Sequence, residues 1–296
     1  MNRLRAVTDS PGDQSSAIAA CMSAFDDTRD SQFFFSGSSS ASVLKALEEF
    51  AIAGNNGIGM VTAGPGCGKS MLRTRLYRQL AERNVDCVML ENALLDFDGL
   101  LLEIISQLEG RRIWPNEYAD RYSRLAALKQ SLLRRTVSTG GKLILLVDEA
   151  QQLDQAALEG VRAITNIASE RQNYVTPLLF GQPELASRLG RTPEFASRLA
   201  YSGRLGPLSV DETGDYIRHR IKVATGLAAF PFTADAVERL HALSAGIPRN
   251  LNRQCKMGLQ ICLQQKKNAV SASLLPKSRE NSPSAPDWHD SCLIPG

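Results

Sequence analysis

A glycine-rich run from Val61 to Ser70 has the composition of a phosphate-binding loop. Glycines let consecutive backbone N–H groups converge on a phosphate, a lysine can reach the β- and γ-phosphates of a nucleotide, and a serine hydroxyl can ligate Mg²⁺. The usual pattern, G-x-x-x-x-G-K-[ST], begins with glycine, whereas this run has Ala63 in that place. Ala63 is tolerable there if it ends a strand. The predicted nucleotide-contacting residues are Gly64, Pro65, Gly66, Cys67, Gly68, Lys69 and Ser70.

The surrounding sequence favours a phosphate site over a chance glycine-rich turn. Residues 58–62 are apolar enough for a buried strand, and residues 71–83 have the pattern of a helix. A phosphate loop needs a strand before it and a helix after it. The elements are in the order that the chemistry requires, and the predicted ligands are ATP and Mg²⁺.

Two adjacent carboxylates follow a second apolar run. Residues 143–147 are all apolar and precede Asp148 and Glu149. In phosphoryl transfer, one such carboxylate holds Mg²⁺ through water and the other orients and deprotonates the attacking water. We assign the metal role to Asp148, together with Ser70, and the role of catalytic base to Glu149. Alone, the run would fit a strand ending in a solvated acidic turn, but with the phosphate loop it indicates a nucleotide hydrolase that uses Lys69 as well.

Further polar residues are candidates for the same site. Gln182 follows the next predicted strand and could sense the γ-phosphate or position water, or could be an ordinary turn residue. Arg249 opens a helix and could contact nucleotide. An arginine after Gln182 could reach into a neighbouring subunit as an arginine finger, although many helical arginines are only solvated. The candidates are Arg188, Arg191, Arg198 and Arg204.

Strands and helices alternate along the first two thirds of the chain. This alternation implies an α/β fold with a mostly parallel, doubly wound sheet, whose ligand lies at the carboxyl ends of the strands. After Pro207 the strand signals stop and a small helical domain is expected, with a capping box at Ser209 and Glu212 and a cap at Thr233. Strands are predicted at 58–62, 85–90, 143–147 and 175–180, and helices at 71–83, 97–108, 119–135, 154–169, 211–225, from 233, and at 248–266.

Length and composition fit one α/β domain with a smaller appendage. The chain has 296 residues, of which 43% are hydrophobic, and a net charge of +3 spread along its length. That charge does not by itself indicate nucleic acid or a membrane surface. No segment reaches the roughly 18 consecutive apolar residues of a membrane span, so we expect a cytoplasmic protein without an integral membrane segment. The predicted division is a partly disordered extension at 1–40, a nucleotide-binding domain at 41–206, a helical lid at 207–268 and a disordered tail at 269–296.

The order of the motifs resembles that of a known group. After the phosphate loop and the acidic pair come Gly-Gln-Pro-Glu-Leu at 181–185, Pro-Leu-Ser at 207–209 and Gly-Ile-Pro-Arg at 246–249. From about residue 30 to 265 the sequence resembles AAA+ ATPases of the ExeA, or general secretion pathway protein A, type. The resemblance implies a P-loop AAA+ domain and helical lid, with Gln182 as sensor 1, Arg198 as the arginine finger and Arg249 as sensor 2. Ala63 departs from the glycine usual in that group.

Two functions are compatible with this resemblance. An ExeA-like ATPase would form a ring or filament of identical subunits and drive assembly of a secretion or surface apparatus through an unidentified protein partner. The alternative is a DNA-binding transposition regulator, similar to the MuB and TniB type, which recruits a transposase to target DNA. That alternative needs a basic stripe, and each candidate for it could instead belong to a solvated basic face. The candidates are Arg111, Arg112, Arg134, Arg135, Lys266 and Lys267.

Overall fold

The fold is described here from a computed structural model, which covers residues 11–53, 57–91, 93–139, 142–168, 173–226, 228 and 230–277. Within these residues the strands are β1 (Ile58–Ala63), β2 (Asp86–Leu90), β3 (Leu143–Val147), β4 (Val175–Gly181) and β5 (Leu199–Leu205). The helices before β3 are α1 (Pro11–Cys21), α2 (Ser38–Ala53), α3 (Lys69–Glu82), α4 (Phe97–Glu109) and α5 (Arg121–Thr139). The later helices are α6 (Gln155–Ile164), α7 (Pro183–Gly190), α8 (Pro193–Ala196), α9 (Val210–Thr225), α10 (Ala234–Ser244) and α11 (Pro248–Gln264).

The five strands form one sheet in the order β2-β3-β4-β1-β5, and every neighbouring pair is parallel. The interior strand β3 is apolar throughout because both of its faces are covered. Leu145 and Val147 pack in the cluster that contains α4, α5 and α6, whereas Ile144 and Leu146 pack in the cluster that contains α2 and α3. The predicted parallel, doubly wound α/β fold is confirmed.

Strand β5 is absent from the sequence prediction. It lies at the edge of the sheet beside β1, and its residues alternate between half-buried and exposed positions up to Leu205, which is buried. Its middle residues include Ser202 and Gly203, which have low strand propensity, so pairing with β1 and not local composition holds it in place. Strand β4 forms at the predicted place, with Pro177 inside it opposite Leu145. The helix predicted at 154–169 is shorter and ends at Ile164.

Helices α9, α10 and α11 surround an apolar cluster of their own, apart from both faces of the sheet. The capping box predicted at the start of α9 is confirmed, because the Glu212 N–H donates to Ser209 Oγ at 3.1 Å and the Ser209 N–H donates to Glu212 Oε2 at 2.9 Å. Thr233 precedes α10, but its hydroxyl caps no helix N–H and instead donates to the carbonyl of Val270 at 3.1 Å. That this helical domain acts as a lid stays a prediction.

Segments from both sides of the α/β domain complete the helical cluster. Ile18 and Phe25 enter it from the N-terminal side, and Val270 and Leu275 enter it after α11. The prediction of disorder from residue 269 is therefore wrong for residues 270–277, since buried apolar side chains hold them on the helices. Residues 1–10 and 278–296, for which the sequence also predicts disorder, lie outside the described residues. The predicted boundaries at 40, 206 and 268 stay predictions.

The contact between α4 and α6 leads to a stability prediction. A Cβ atom added at Gly160 on α6 would lie 2.1 Å from Cδ2 of the buried Phe97 ring. We expect Gly160→Ala to lower the free energy of unfolding by about 1–3 kcal/mol, because overpacking forces the ring out of its place. Gly190→Ala is the matched control, since a Cβ there meets no atom within 4 Å. Thermal unfolding of the two variants checks this, and equal melting temperatures would contradict it.

Candidate nucleotide-binding site

The phosphate loop connects the end of β1 to the start of α3 at the carboxyl edge of the sheet. Gly66 and Gly68 have φ angles of +80° and +93°, a region that L side chains rarely adopt. A Cβ at Gly66 would lie 2.8 Å from Cβ of Arg249, so a side chain there would collide with the helical domain. Ala63 is the last residue of β1, which is the condition under which it is tolerable in the motif.

Lys69 is the first residue of α3 and is buried at the base of the loop. Its Nζ lies 3.0 Å from Glu149 Oε1. A buried ammonium beside backbone N–H groups at the N-terminus of a helix gives this edge a positive potential, which suits a phosphate. The loop therefore has the donors, the conformation and the charge that suit the phosphates of a nucleoside triphosphate.

Asp148 follows β3 directly and lies beside the start of α3. Ser70 Oγ donates to Asp148 Oδ2 at 3.4 Å, and the backbone N–H of Glu149 donates to Asp148 Oδ1 at 2.9 Å. The Asp148 N–H donates in turn to the carbonyl of Leu90 at the end of β2. A hydroxyl and a carboxylate are hard oxygen ligands, so the donor set of Ser70 and Asp148 fits Mg²⁺. Asp148 and Ser70 would hold that ion.

Glu149 adopts a left-handed backbone conformation, with φ of 49°, which turns the chain sharply after β3. Partial burial acts to raise the pKa of its carboxyl, but hydrogen bonds from Gln151, Lys69 and Gln182 outweigh burial and the net pKa lies below its ordinary value of 4.5. Glu149 is therefore a carboxylate at neutral pH, as a proton acceptor must be.

Comparison with known proteins agrees with this geometry. Residues 52–189 match the AAA domain family. The chain contains an AAA+ ATPase domain. The chain is 31% identical over 213 residues to General secretion pathway protein A of Aeromonas hydrophila, an alignment that covers 71% of this chain and 38% of that protein. The chain thus spans about two fifths of the length of the curated relatives it matches.

Solved structures with the same fold include those of Cdc6p and ORC. Cdc6p from Pyrobaculum aerophilum superposes with a TM-score of 0.63 at 17% identity, over 81% of the ATPase and 68% of that chain. Drosophila ORC bound to DNA gives a TM-score of 0.62 at 16% identity, over 93% of the ATPase and 67% of that chain. At such identities the likeness establishes the fold alone. In the described part of the ATPase, no helix combines the length and the apolar character of a membrane span.

Most of the predicted site residues of the ATPase line one cavity of about 500 Å³. Cys67 lines the adjoining cavity instead, and burial raises the pKa of its thiol, which is therefore neutral at physiological pH. Asp148 is buried beneath Ser70. The predicted residues that line the first cavity are Gly64, Pro65, Gly66, Gly68, Lys69, Ser70, Glu149, Gln182 and Arg249.

The helical domain of the ATPase contacts the phosphate loop directly. The N–H of Arg249, at the start of α11, donates to the carbonyl of Gly66 at 3.3 Å. The adjoining cavity lies between the α/β domain, the helical domain and the N-terminal segment. Apolar side chains such as Phe33, Met71 and Leu208 line it, and it shares Met71, Tyr216 and Pro248 with the phosphate cavity. An apolar pocket continuous with a phosphate cavity suits a nucleotide base.

Arg198 of the ATPase lies far from this cavity. Its carbonyl accepts the N–H of Ile58 at 2.8 Å, which places it at the amino end of β1, and its guanidinium donates to Asn166 Oδ1 at 2.8 Å. The phosphate loop is at the other end of β1. Arg198 could therefore serve only the site of another subunit, and its role as an arginine finger stays a prediction. Arg188 donates instead to the carbonyls of Gln151 and Leu153 within its own subunit.

Gln151 is a residue of the site that sequence reasoning missed. Its Nε2 donates to Glu149 Oε2 at 2.6 Å, and its Oε1 accepts the N–H of Gln182 at 3.0 Å. One amide side chain thus joins the predicted base to the predicted sensor. The signal was available, because Gln151 lies two residues after Glu149 in the run Asp-Glu-Ala-Gln.

Proposed function

We propose that this AAA+ ATPase binds ATP with Mg²⁺ and hydrolyses it, and that nucleotide-dependent oligomerisation drives assembly of a secretion or surface apparatus through protein partners in the cytoplasm. The observation that carries the hydrolytic part is the convergence of Lys69, Ser70, Glu149 and Gln182 on one cavity, with Asp148 beneath Ser70. The similarity to General secretion pathway protein A over 71% of the chain supports the process.

Different residues of the site have different roles in hydrolysis. The backbone N–H groups of the phosphate loop and the Lys69 ammonium bind the phosphates and stabilise the charge that spreads over them during transfer. Mg²⁺, held by Ser70 and Asp148, would neutralise phosphate charge. Glu149 accepts a proton from the attacking water, and Gln182 stands beside Glu149 to orient that water. Gln151 holds the Glu149 carboxylate and the backbone N–H of Gln182, so the carboxylate and the start of α7 are connected without the nucleotide.

The role of Arg198 makes oligomerisation part of the proposal. An arginine finger supplied by a neighbour typically accelerates hydrolysis by 10³–10⁵-fold in ATPases and GTPases that use one. Arg198 lies at the opposite end of β1 from its own phosphate loop, so a site is complete only when a second subunit is present. This arrangement supports a ring or filament with nucleotide between subunits.

Three of the six basic residues that a DNA-binding regulator would need for its stripe are paired with acidic side chains. Arg111 lies 2.7 Å from Glu117 and 3.2 Å from Glu109. Arg134 lies 3.5 Å from Glu109, and Arg135 lies 2.8 Å from Asp86. Paired arginines contribute less to phosphate binding, because each must give up its partner. The secretion-type proposal is therefore the one we retain.

Sedimentation velocity of the Glu149→Gln protein tests the assembly part of this proposal. With Mg²⁺ and ATP we expect large assemblies that form without DNA and persist at two salt concentrations, because the interface is between protein subunits. Adding Arg198→Ala should weaken the assemblies, whereas adding Arg191→Ala, on the same segment, should not. Assemblies that require duplex DNA and dissolve with salt would favour the transposition regulator instead. A monomer under every condition would refute both.

A further inference from the structure

A buried arginine lies beside the metal-binding carboxylate. Arg73 is on α3 one turn after Lys69, and only 3% of its surface is exposed. Its Nη2 lies 3.3 Å from Glu91 Oε1 and 3.4 Å from Asp148 Oδ2. Arg73 also lines the phosphate cavity. One guanidinium nitrogen thus stands between the carboxylates that follow β2 and β3.

The hydrogen bonding of Arg73 is incomplete. Its Nε and Nη1 atoms are buried and have no hydrogen-bond partner among the described residues. Buried polar groups are normally paired, and an orphan donor calls for an explanation. An arginine kept only to tie β2 to β3 would be expected to use its full fork of donors. The arrangement instead places one positive charge between two negative ones.

The oxygen that Arg73 approaches is the one at the predicted metal site. Asp148 Oδ2 accepts the hydrogen bond from Ser70 Oγ, and the same atom lies 3.4 Å from Arg73 Nη2. A fixed cation at this place opposes a divalent cation by Coulomb repulsion. It also compensates the buried Asp148 carboxylate, which would otherwise carry an unpaired charge.

Glu91 is the second partner of Arg73 and moderates its charge. The Glu91 side chain is half exposed, and it also lies 3.4 Å from Arg29 Nη1 in the N-terminal segment. When Glu91 attracts Arg73, less of the guanidinium charge acts on Asp148. The affinity of Asp148 for the metal then depends on how the Arg73 charge is shared between Glu91 and Asp148.

We propose that Arg73 and Glu91 form a charge pair that sets how strongly Asp148 binds the divalent metal, with Arg73 as a positioning residue. The inference rests on the proposed nucleotide-binding function. Glu91, which follows β2, would thereby adjust the metal affinity of a site whose ligands come from the phosphate loop and the acidic pair.

The test measures how much metal strengthens nucleotide binding. A fluorescent, non-hydrolysable ATP analogue is titrated in excess Mg²⁺ and again in EDTA, and the ratio of the two dissociation constants is the metal coupling factor. We expect Arg73→Met to raise this factor about tenfold. Removing one nearby positive charge typically changes the affinity of a carboxylate for a cation by that amount or more. Glu91→Gln should lower the factor several-fold, because Arg73 then acts on Asp148 alone.

Two further variants separate this role from a structural one. Arg73→Lys keeps the charge and should keep a coupling factor near that of the unchanged protein. Arg78→Met removes an arginine from the same helix that pairs with Asp30 at 3.8 Å, away from the cavity, and should change nothing. If Arg73→Met does not fold, Glu91→Gln and Arg73→Lys carry the test, since Glu91 is half exposed.

The outcomes distinguish this inference from the proposed function. Equal coupling factors in the unchanged protein, Arg73→Met and Glu91→Gln, or changes in the same direction in both variants, would overturn the charge-pair inference and leave the ATPase proposal standing. No analogue binding by the unchanged protein in either buffer would overturn the proposed function itself.

Discussion

Replacing Lys69 with alanine is expected to abolish ATP binding, with an affinity loss of at least about 100-fold. Charge-assisted hydrogen bonds to buried groups contribute about 1.5–3 kcal/mol each, and Lys69 is the buried cation at the base of the phosphate loop. The substitution also removes the ammonium that lies 3.0 Å from Glu149 Oε1. Isothermal titration calorimetry with Mg²⁺ and ATP measures the effect.

The matched control for this variant is Lys45→Ala. Lys45 lies on the exposed side of α2, where it approaches Glu49 at 3.9 Å, so its loss should not change ATP affinity. Thermal unfolding of the Lys69→Ala protein shows whether the fold survives. A folded Lys69→Ala protein with unchanged affinity would refute the assignment of residues 61–70 as a phosphate loop.

Replacing Glu149 with glutamine is expected to separate binding from hydrolysis. The variant keeps the size of the side chain and the phosphate loop, so ATP should still bind, but it has no group to accept a proton from water. General-base catalysis typically contributes 10²–10⁴-fold, and phosphate release should fall by about that factor. Glu184→Gln, an exposed acidic residue at the start of α7, is the control and should hydrolyse ATP at the normal rate. Near-normal phosphate release by Glu149→Gln would remove Glu149 as the base.

The pKa of Glu149 determines the pH range in which acid should affect the unchanged protein. Because that pKa is lowered below 4.5, Glu149 remains ionised across the neutral range. Its interactions with Gln151, Lys69 and Gln182 stabilise the fold above pH 4.5, and this stabilisation is lost as the pH falls through the lowered value. Loss of hydrolysis between pH 6 and 7 would therefore have to come from another group.

The parts of the site that are continuous in sequence could be predicted. The phosphate loop and the acidic pair each lie within ten residues, and each follows an apolar strand whose carboxyl end faces the ligand in any parallel α/β sheet. Their meeting, with Ser70 Oγ 3.4 Å from Asp148 Oδ2, follows from that rule. Local patterns also predicted four of the five strands and the capping box of α9.

The parts that depend on distant contacts could not be predicted. Strand β5 has little strand propensity of its own and exists because β1 offers it an edge. The pairing of Arg73 with Glu91 joins two elements, and no spacing rule connects a helix residue to the residue after the next strand. The packing of the N-terminal segment could not be predicted either, because Phe25 becomes a core residue only by contact with helices that lie some two hundred positions later.

This last arrangement has a consequence for synthesis on the ribosome. Arg220 on α9 donates through Nε to the carbonyl of Ala24, a contact between residues 196 positions apart. At the usual 5–20 residues per second, the N-terminal segment leaves the ribosome roughly 10–40 seconds before its partners exist. During that interval the α/β domain can fold, while Ile18 and Phe25 have no core to enter. The helical domain is thus finished after the α/β domain, and the nascent chain carries an exposed apolar segment that a chaperone can bind until translation reaches α11.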